Sequence, residues 1–162
     1  MNFTDVQIRH FLELALIEAE KALTEGGYPV GSLVVDEGGK IISQHRNQYK
    51  ISNNVASHPE MLNLADIGIP SGRDLTLFSS LEPCFGCSFF IARSDIRTIY
   101  SALKDPHKGG MSDLKSKKEF AHFFHDISLV NGPFDDLKQK SKGLMRAYFM
   151  QIGRPDKAKY YS

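Results

Sequence analysis

The sequence predicts a three-layer α/β/α domain in which helices cover both faces of a central sheet. Helix-type and strand-type patterns alternate along most of the chain, which is typical of α/β domains. Residues 75–102 form a strand–helix–strand unit, and such units favour parallel strands in a covered sheet. The 162 residues are 41% hydrophobic and 24% charged, which is ordinary for one domain with a real core.

The first predicted element is an amphipathic helix over residues 5–25. Apolar side chains recur there at steps of three and four residues, the spacing of one helix face. Thr4 or Asp5 can cap its first turn, and the pair Gly26 and Gly27 ends it.

The next elements follow from short apolar runs and the turns between them. Runs at 32–35 and 41–44 flank the turn sequence DEGGK and predict a β-hairpin. Residues 47–57 are polar and predict a loop. Residues 58–67 predict a helix that tolerates a proline in its first turn, and 75–80 predicts a strand.

The second half of the chain is predicted from the same patterns. Its segments, in order, are helix 84–93, strand 96–102, loop 105–113, short helix 119–126, strand 127–130, helix 135–152 and tail 154–162. We therefore expect one domain over residues 1–153, followed by a carboxyl-terminal tail over 154–162. Tyr160 and Tyr161 of this tail could cover a pocket, of this chain or of a partner, although a frayed end is the simpler expectation.

Composition and charge exclude some functional classes. The formal net charge is +1, which gives no general attraction to nucleic acid. No apolar run approaches the ~20 residues that a membrane-spanning helix needs. The start MNFTDVQIRH lacks the basic and apolar regions of a secretory signal. We therefore expect a cytoplasmic protein whose thiols stay reduced.

The only two cysteines, Cys84 and Cys87, lie together in the stretch EPCFGC. Three interpretations compete: two buried cysteines at a helix start, a redox pair, or a metal site. At a helix start, both sulfurs lie on one side of the first turn. With no third cysteine, a metal site in one chain needs a histidine and leaves one position open, as in catalytic zinc sites.

Among the six histidines, His58 differs from the others because Glu60 follows it two residues later at a predicted helix start. The other five are most simply surface, loop or mixed helix residues. An H-x-E motif alone is weak, but it becomes specific when a P-C-x-x-C motif lies downstream.

These two motifs, HPE at 58–60 and PCFGC at 83–87, resemble the zinc-dependent cytidine and deoxycytidylate deaminase superfamily. The stretches GGYPVGSLVV and TLFSSLEPCFGC are similar to its branch of tRNA adenosine, guanine and yeast-type cytosine deaminases. The resemblance covers about residues 5–153. It implies a cytidine deaminase-like fold with a mixed sheet of about five strands, and a homo-oligomer, most simply a dimer.

The resemblance also implies a division of chemical roles. His58, Cys84 and Cys87 would bind one zinc ion per subunit, which would acidify a bound water. Glu60 would not bind zinc but would carry protons between the water, the ring and the leaving amine.

Three further residues are candidates for substrate binding. Asn47 can donate to and accept from a substrate ring, although it can equally cap loop backbone. Phe85 can form part of the pocket wall. Pro59 departs from the family pattern, which has Ala or Gly there. Because proline has no N–H, the chain lacks a donor that relatives can offer the substrate.

The leading hypothesis is a hydrolytic deaminase that releases ammonia from a small nucleobase or nucleoside of the cytosine, guanine or adenine type. The alternative is a tRNA-specific adenosine deaminase acting on an anticodon loop, which DPHKGG and the basic carboxyl-terminal residues favour. A third class is a zinc-stapled module or a pseudoenzyme, against which the intact Glu60 argues.

Overall fold

The structure, a computed structural model, describes residues 3–162 and confirms the three-layer α/β/α fold. The strands are β1 (Gly31–Val35), β2 (Ile41–Arg46), β3 (Leu75–Ser79), β4 (Ile96–Ser101) and β5 (Ser128–Asn131). The helices are α1 (Asp5–Thr24), α2 (Pro59–Ile67), α3 (Phe85–Ile91), α4 (Met111–Ser116), α5 (Asp135–Gln151) and α6 (Pro155–Ala158). No helix among residues 3–162 is long and apolar enough to cross a membrane.

The sheet is mixed, with strand order β2-β1-β3-β4-β5. Strand β1 is antiparallel to both β2 and β3, whereas β3, β4 and β5 run parallel to one another. The predicted hairpin and the predicted parallel unit are both confirmed. The parallel strands place their carboxyl ends at one edge, where α/β proteins commonly bind ligands.

Helix α1 begins and ends at the residues that the sequence favoured. Thr4 is its N-cap and forms a reciprocal capping box with Gln7. Gly26 follows the helix with a φ of 78°, a left-handed conformation in which glycine avoids the steric cost of a side chain.

Alternate strand residues contribute to the two layers of the core. Leu33 and Val35 on β1 join the apolar cluster beneath α1 and α5. Val34, between them, joins Leu77 in the cluster beneath α2, α3 and α4. This alternation follows from the two-residue period of a strand. It gives both faces of the sheet apolar side chains, against which the helices of the two outer layers pack.

The segment between β4 and β5 differs from the prediction in its helices. Helix α4 begins inside the predicted loop 105–113, because Met111 and Leu114 are buried in the core. The predicted helix 119–126 contains only one 3₁₀ turn, Ala121–Phe123. Two buried residues three apart are too short a pattern to predict a six-residue helix.

The carboxyl-terminal tail is not frayed, contrary to the prediction. Residues 154–162 form α6 and a 3₁₀ turn, Lys159–Tyr161, which pack against α5. Tyr161 is fully buried, and its ring stacks on Phe149 at a centroid distance of 5.7 Å. The domain boundary at residue 153 stays a prediction.

Candidate active site

Two helix starts face each other above the carboxyl end of β3. His58 is the N-cap of α2, in extended conformation, and Pro59 is the first helical residue. Cys84 is the N-cap of α3, where its sulfur accepts a hydrogen bond from the backbone N–H of Cys87 at 3.5 Å. The short turn after β3 therefore brings the second helix start to the first.

The side chains of His58, Cys84 and Cys87 converge into one group of possible metal ligands. His58 Nδ1 lies 3.6 Å from Cys84 Sγ and 3.5 Å from Cys87 Sγ, and the two sulfurs are 3.3 Å apart. A tetrahedral zinc ion with bonds of about 2.1 Å to nitrogen and 2.3 Å to sulfur would separate such atoms by about 3.6–3.8 Å. The donor set and the two nitrogen–sulfur distances thus fit zinc with three protein ligands, whereas the two sulfurs would move apart by about 0.5 Å to bind it.

The two sulfurs are electrostatically unequal. The hydrogen bond from the Cys87 thiol lowers the pKa of Cys84 to about 4, and the same bond and burial raise the pKa of Cys87. Two adjacent thiolates repel each other unless a cation lies between them. A divalent cation would therefore stabilise the second thiolate, as expected for a metal site.

Glu60 lies beside the three ligands at the bottom of the cavity and is only 3% exposed. Ser79 Oγ donates to its Oε1 at 3.1 Å, and its Oε2 lies 3.8 Å from Cys87 Sγ. Burial raises the pKa of Glu60 to about 7. A carboxyl group with such a pKa can both accept and release a proton near neutral pH.

A cavity of about 330 Å³ opens above this group. Its walls combine aromatic, charged and polar side chains from many elements. The lining residues are Tyr28, Val30, Asn47, Tyr49, His58, Pro59, Glu60, Leu81, Glu82, Cys84, Asp105, Lys108 and Tyr148.

The three predicted substrate-binding residues occupy different places. Asn47 and Pro59 line the cavity, whereas Phe85 is 44% exposed and lies outside its lining. Asn47 Oδ1 accepts from the backbone N–H of Tyr49 at 3.2 Å, and its Nδ2 has no hydrogen-bond partner within residues 3–162. Asn47 thus caps the loop with one atom and keeps two N–H donors. The roles of all three residues stay predictions.

Sequence reasoning missed several residues of the cavity wall. Asp105 Oδ1 accepts from the hydroxyl of Tyr161 at 2.9 Å and from the backbone N–H of His107. Tyr28 lies close to this pair, and burial raises the pKa of both tyrosines, so both hydroxyls stay protonated. The motifs GGYPVG and DPHKGG contain Tyr28 and Asp105, and Tyr161 belongs to the tail that could cover a pocket, but no local pattern indicated that Tyr161 pairs with Asp105.

Glu82, which also lines the cavity, organises the neighbouring loop. Its carboxylate accepts from the backbone N–H groups of Asp105 and Ser112. A Cβ on Gly110 would lie 2.6 Å from the carbonyl oxygen of Pro83 and 2.9 Å from the Glu82 side chain. Only a residue without a Cβ fits at position 110, and this close approach lets the loop lie against the cavity.

Comparison with known proteins agrees with this arrangement. Residues 5–103 match the family model described as the cytidine and deoxycytidylate deaminase zinc-binding region. The matched segment includes the three candidate ligands and Glu60.

Two relatives carry the name tRNA-specific adenosine deaminase. The one from Aquifex aeolicus (strain VF5) is 35% identical over 108 residues, which cover 64% of this chain and 71% of the relative. The one from Bacillus subtilis (strain 168) is 26% identical over 152 residues, 91% of this chain and 92% of the relative.

Solved structures share the fold. One, from studies of A-to-I editing by tRNA:A34 deaminases, is 27% identical with a TM-score of 0.68 and covers 84% of this chain and 99% of its own. Another, NE0047 in complex with 2,6-diaminopurine, has a TM-score of 0.71 over 87% of this chain and 80% of its own. At 17% identity, the second similarity concerns the fold alone.

Proposed function

The chain belongs to the cytidine and deoxycytidylate deaminase family, a zinc-dependent family of hydrolytic deaminases, and we propose that its substrate is a small nucleobase or nucleoside. The amino group of a cytosine-, guanine- or adenine-type ring would leave as ammonia. The observation that carries this choice is the small cavity of about 330 Å³, behind whose lining residue Asp105 the side chain of Tyr161 is buried.

In this proposal, His58, Cys84 and Cys87 hold the zinc ion and Glu60 moves the protons. Zinc in that position would supply a Lewis acid that makes water nucleophilic at neutral pH. Ser79 holds one oxygen of Glu60 and leaves the other beside the ligands. Glu60 can therefore take one proton of the attacking water at Oε2 and give it to the ring nitrogen, and then carry the second proton of that water to the departing amine.

Asn47 and Pro59 would set the recognition of the ring. The free Nδ2 group of Asn47 offers donors to a ring carbonyl or ring nitrogen. Pro59 lines the cavity but offers no N–H. A substrate bound here would use the Asn47 side chain, or would lack an acceptor next to residue 59.

The size of the cavity supports a small substrate. Its volume of about 330 Å³ is near the lower limit of ligand pockets, which span about 300–1,000 Å³. Tyr148, from α5, lines it, and Tyr161 and Phe149 pack close by. A polynucleotide that approached the cavity from the side of Tyr148 would have to pass these aromatic side chains.

A second candidate substrate is adenosine within tRNA, which the names of the two relatives favour. Cationic side chains also lie over aromatic rings around the cavity. Lys108 Nζ is 4.6 Å from the ring centre of Tyr28, and Lys50 Nζ is 5.3 Å from that of Tyr148. Lysines near aromatic rings are common in surfaces that bind single-stranded nucleic acid.

The experiment is ammonia release by the zinc-loaded protein, measured on cytosine, guanine, adenine, their nucleosides and a tRNA anticodon stem-loop. Glu60→Gln would run beside the wild type, with Glu13→Gln, at an exposed position, as the matched control. We expect turnover of one base or nucleoside, a loss of about 10²- to 10⁴-fold in Glu60→Gln, and unchanged zinc content.

Turnover of the stem-loop alone, with an affinity that falls steeply as salt rises, would replace this proposal with the tRNA alternative. Equal rates in Glu60→Gln and the wild type would remove Glu60 from the mechanism. A dimeric assembly and a cytoplasmic location stay predictions; the molecular mass in solution tests the first.

A further inference from the structure

Besides Ile67, which is buried in the apolar core, helix α2 presents a polar stripe to the sheet. Glu60, Asn63 and Asp66 recur every three residues, which places them along one side of the helix. Asn63 is completely buried, and Glu60 nearly so. The docking side of a helix is usually apolar, because burying an amide is unfavourable unless its hydrogen bonds are made.

The sheet presents matching hydroxyl groups. Ser32 on β1 and Ser79 on β3 are paired in register, and both are fully buried. Asn63 Nδ2 donates to Ser32 Oγ at 2.7 Å, one helical turn from the bond between Ser79 and Glu60. Two neighbouring positions of α2 are thus bonded to two paired positions of the sheet.

A third contact lies farther along the helix, on β2. Ser43 Oγ is 2.7 Å from both Asn63 Oδ1 and Asp66 Oδ2, so its single proton is shared between them. His45 Nε2 is 2.7 Å from the same oxygen of Asp66 at the surface end of the stripe. The Asn63 amide is therefore bonded through its nitrogen to β1 and through its oxygen to β2.

We propose that Asn63 is a positioning residue that fixes α2 on the sheet so that Glu60 and His58 face the cavity correctly. The inference rests on the proposed role of Glu60. Apolar packing has no direction and tolerates small rotations or slides of a helix. Hydrogen bonds of 2.7 Å to two strands do not tolerate them. A displacement of about 1 Å at a reacting group can lower the rate about 10²-fold.

The test separates positioning from stability. Asn63→Ala leaves Ser32 without its partner and should lower both stability and kcat. The double variant Asn63→Leu with Ser32→Ala replaces both partners by apolar groups, a change that can be nearly neutral for stability. We expect kcat of the double variant to stay about 10- to 100-fold below wild type, with little change in KM.

Ser94→Ala is the matched control, because Ser94 is also buried and bonded but lies outside the stripe, between α3 and β4. We expect it to keep the wild-type kcat. A second readout needs no substrate: the rate at which a chelator removes zinc. Since His58 begins the same helix, we expect removal to be about 10- to 100-fold faster in both Asn63 variants than in the control.

A wild-type kcat and a wild-type zinc-removal rate in the double variant would overturn the inference, and so would losses equal to those of Ser94→Ala. If the wild-type protein deaminated no base, nucleoside or stem-loop, the proposed function would be wrong, and this result would not bear on the role of Asn63. The zinc-removal rates would then decide the inference on their own.

Discussion

Pro59 is the residue that we propose to limit which groups at the start of α2 can meet a substrate. It lines the cavity as the first helical residue, a position where a missing N–H costs the helix nothing. Its effect therefore falls on the ligand rather than on the fold.

Pro59→Ala should change the ranking of substrates, because it restores an N–H donor in the cavity. A hydrogen bond contributes about 0.5–1.5 kcal/mol, so we expect kcat/KM to rise about 2- to 10-fold for rings with an acceptor there. Pro155→Ala, at the equivalent position of α6, is the control. An unchanged ranking in the Pro59 variant would contradict this role.

Asp95 is a buried carboxylate away from the cavity. It accepts from the backbone N–H groups of Ser71 at 2.9 Å and Gly72 at 3.1 Å. The bond from Ser71 is the main reason that the pKa of Asp95 lies below its usual value. A lowered folded-state pKa stabilises the fold above the unfolded pKa of about 3.9, and this stability is lost as pH falls through the folded value.

Asp95→Asn should lower the free energy of unfolding at pH 7 by about 1–3 kcal/mol, because one acceptor becomes a donor facing an N–H. Below about pH 4 the difference from wild type should shrink. Urea unfolding between about pH 3 and 7 measures both effects, with the exposed Asp135→Asn as the control. A difference that stays constant with pH would contradict the assignment.

At the scale of elements, α1 lies unusually close to β1. A Cβ on Gly31 would stand 2.3 Å from the carbonyl oxygen of Ala15 and 2.5 Å from the Cβ of Glu18. The absence of a side chain at this strand residue lets the helix backbone touch the sheet.

Gly31→Ala should therefore lower the free energy of unfolding by about 1–3 kcal/mol, since neither backbone can yield easily. A Cβ on Gly143, inside α5, would have open space around it, with no atom of another element within 4 Å. Gly143→Ala should raise stability by about 0.5–1 kcal/mol through helix propensity alone. Chemical denaturation of both variants checks the opposite signs.

The helices and strands that the sequence predicted share a long periodic pattern or a clear turn. Helix α1 and the β1–β2 hairpin are examples, and both form as predicted. Helix α4 was missed because a six-residue helix presents only Met111 and Leu114 to the core. Its start depends on Glu82 binding the backbone N–H of Ser112, a contact made across the fold.

The candidate site divides in the same way. His58, Glu60 and the two cysteines were predicted because the H-x-E and P-C-x-x-C motifs hold them at short spacings within the chain. A zinc site with a neighbouring proton carrier uses these residue types. Asn63 and Asp105 were missed, since their partners Ser32 and Tyr161 lie far away in the chain. Such pairs leave no local pattern in a single sequence.

At the scale of the whole molecule, the carboxyl-terminal residues support the cavity wall from behind, because Tyr161 donates to Asp105, which lines the cavity. Ala158 and Tyr161 pack into the cluster that contains Tyr148 and Val30. Lys142 Nζ donates to the carbonyl oxygen of Ser162 at 2.8 Å and holds this segment against α5.

Tyr161→Ala should destabilise the protein by about 3–5 kcal/mol and lower kcat/KM for the proposed small substrate, because it empties a buried aromatic site and frees Asp105. Tyr160→Ala, at a half-exposed neighbour, should change stability by about 0.5 kcal/mol or less. Thermal unfolding and ammonia release measure the two effects. Equal behaviour of both variants would contradict a role for the buried ring.

The groups proposed for the chemistry come from residues 58–87, whereas the cavity walls come from Tyr28, Asn47, Asp105 and Tyr148 on separate parts of the chain. Substitutions in the walls can accumulate without disturbing the contiguous segment. A lineage can therefore exchange one amino-bearing ring for another while inheriting the same reaction, and descendants of one ancestor can diverge in substrate before they diverge in chemistry.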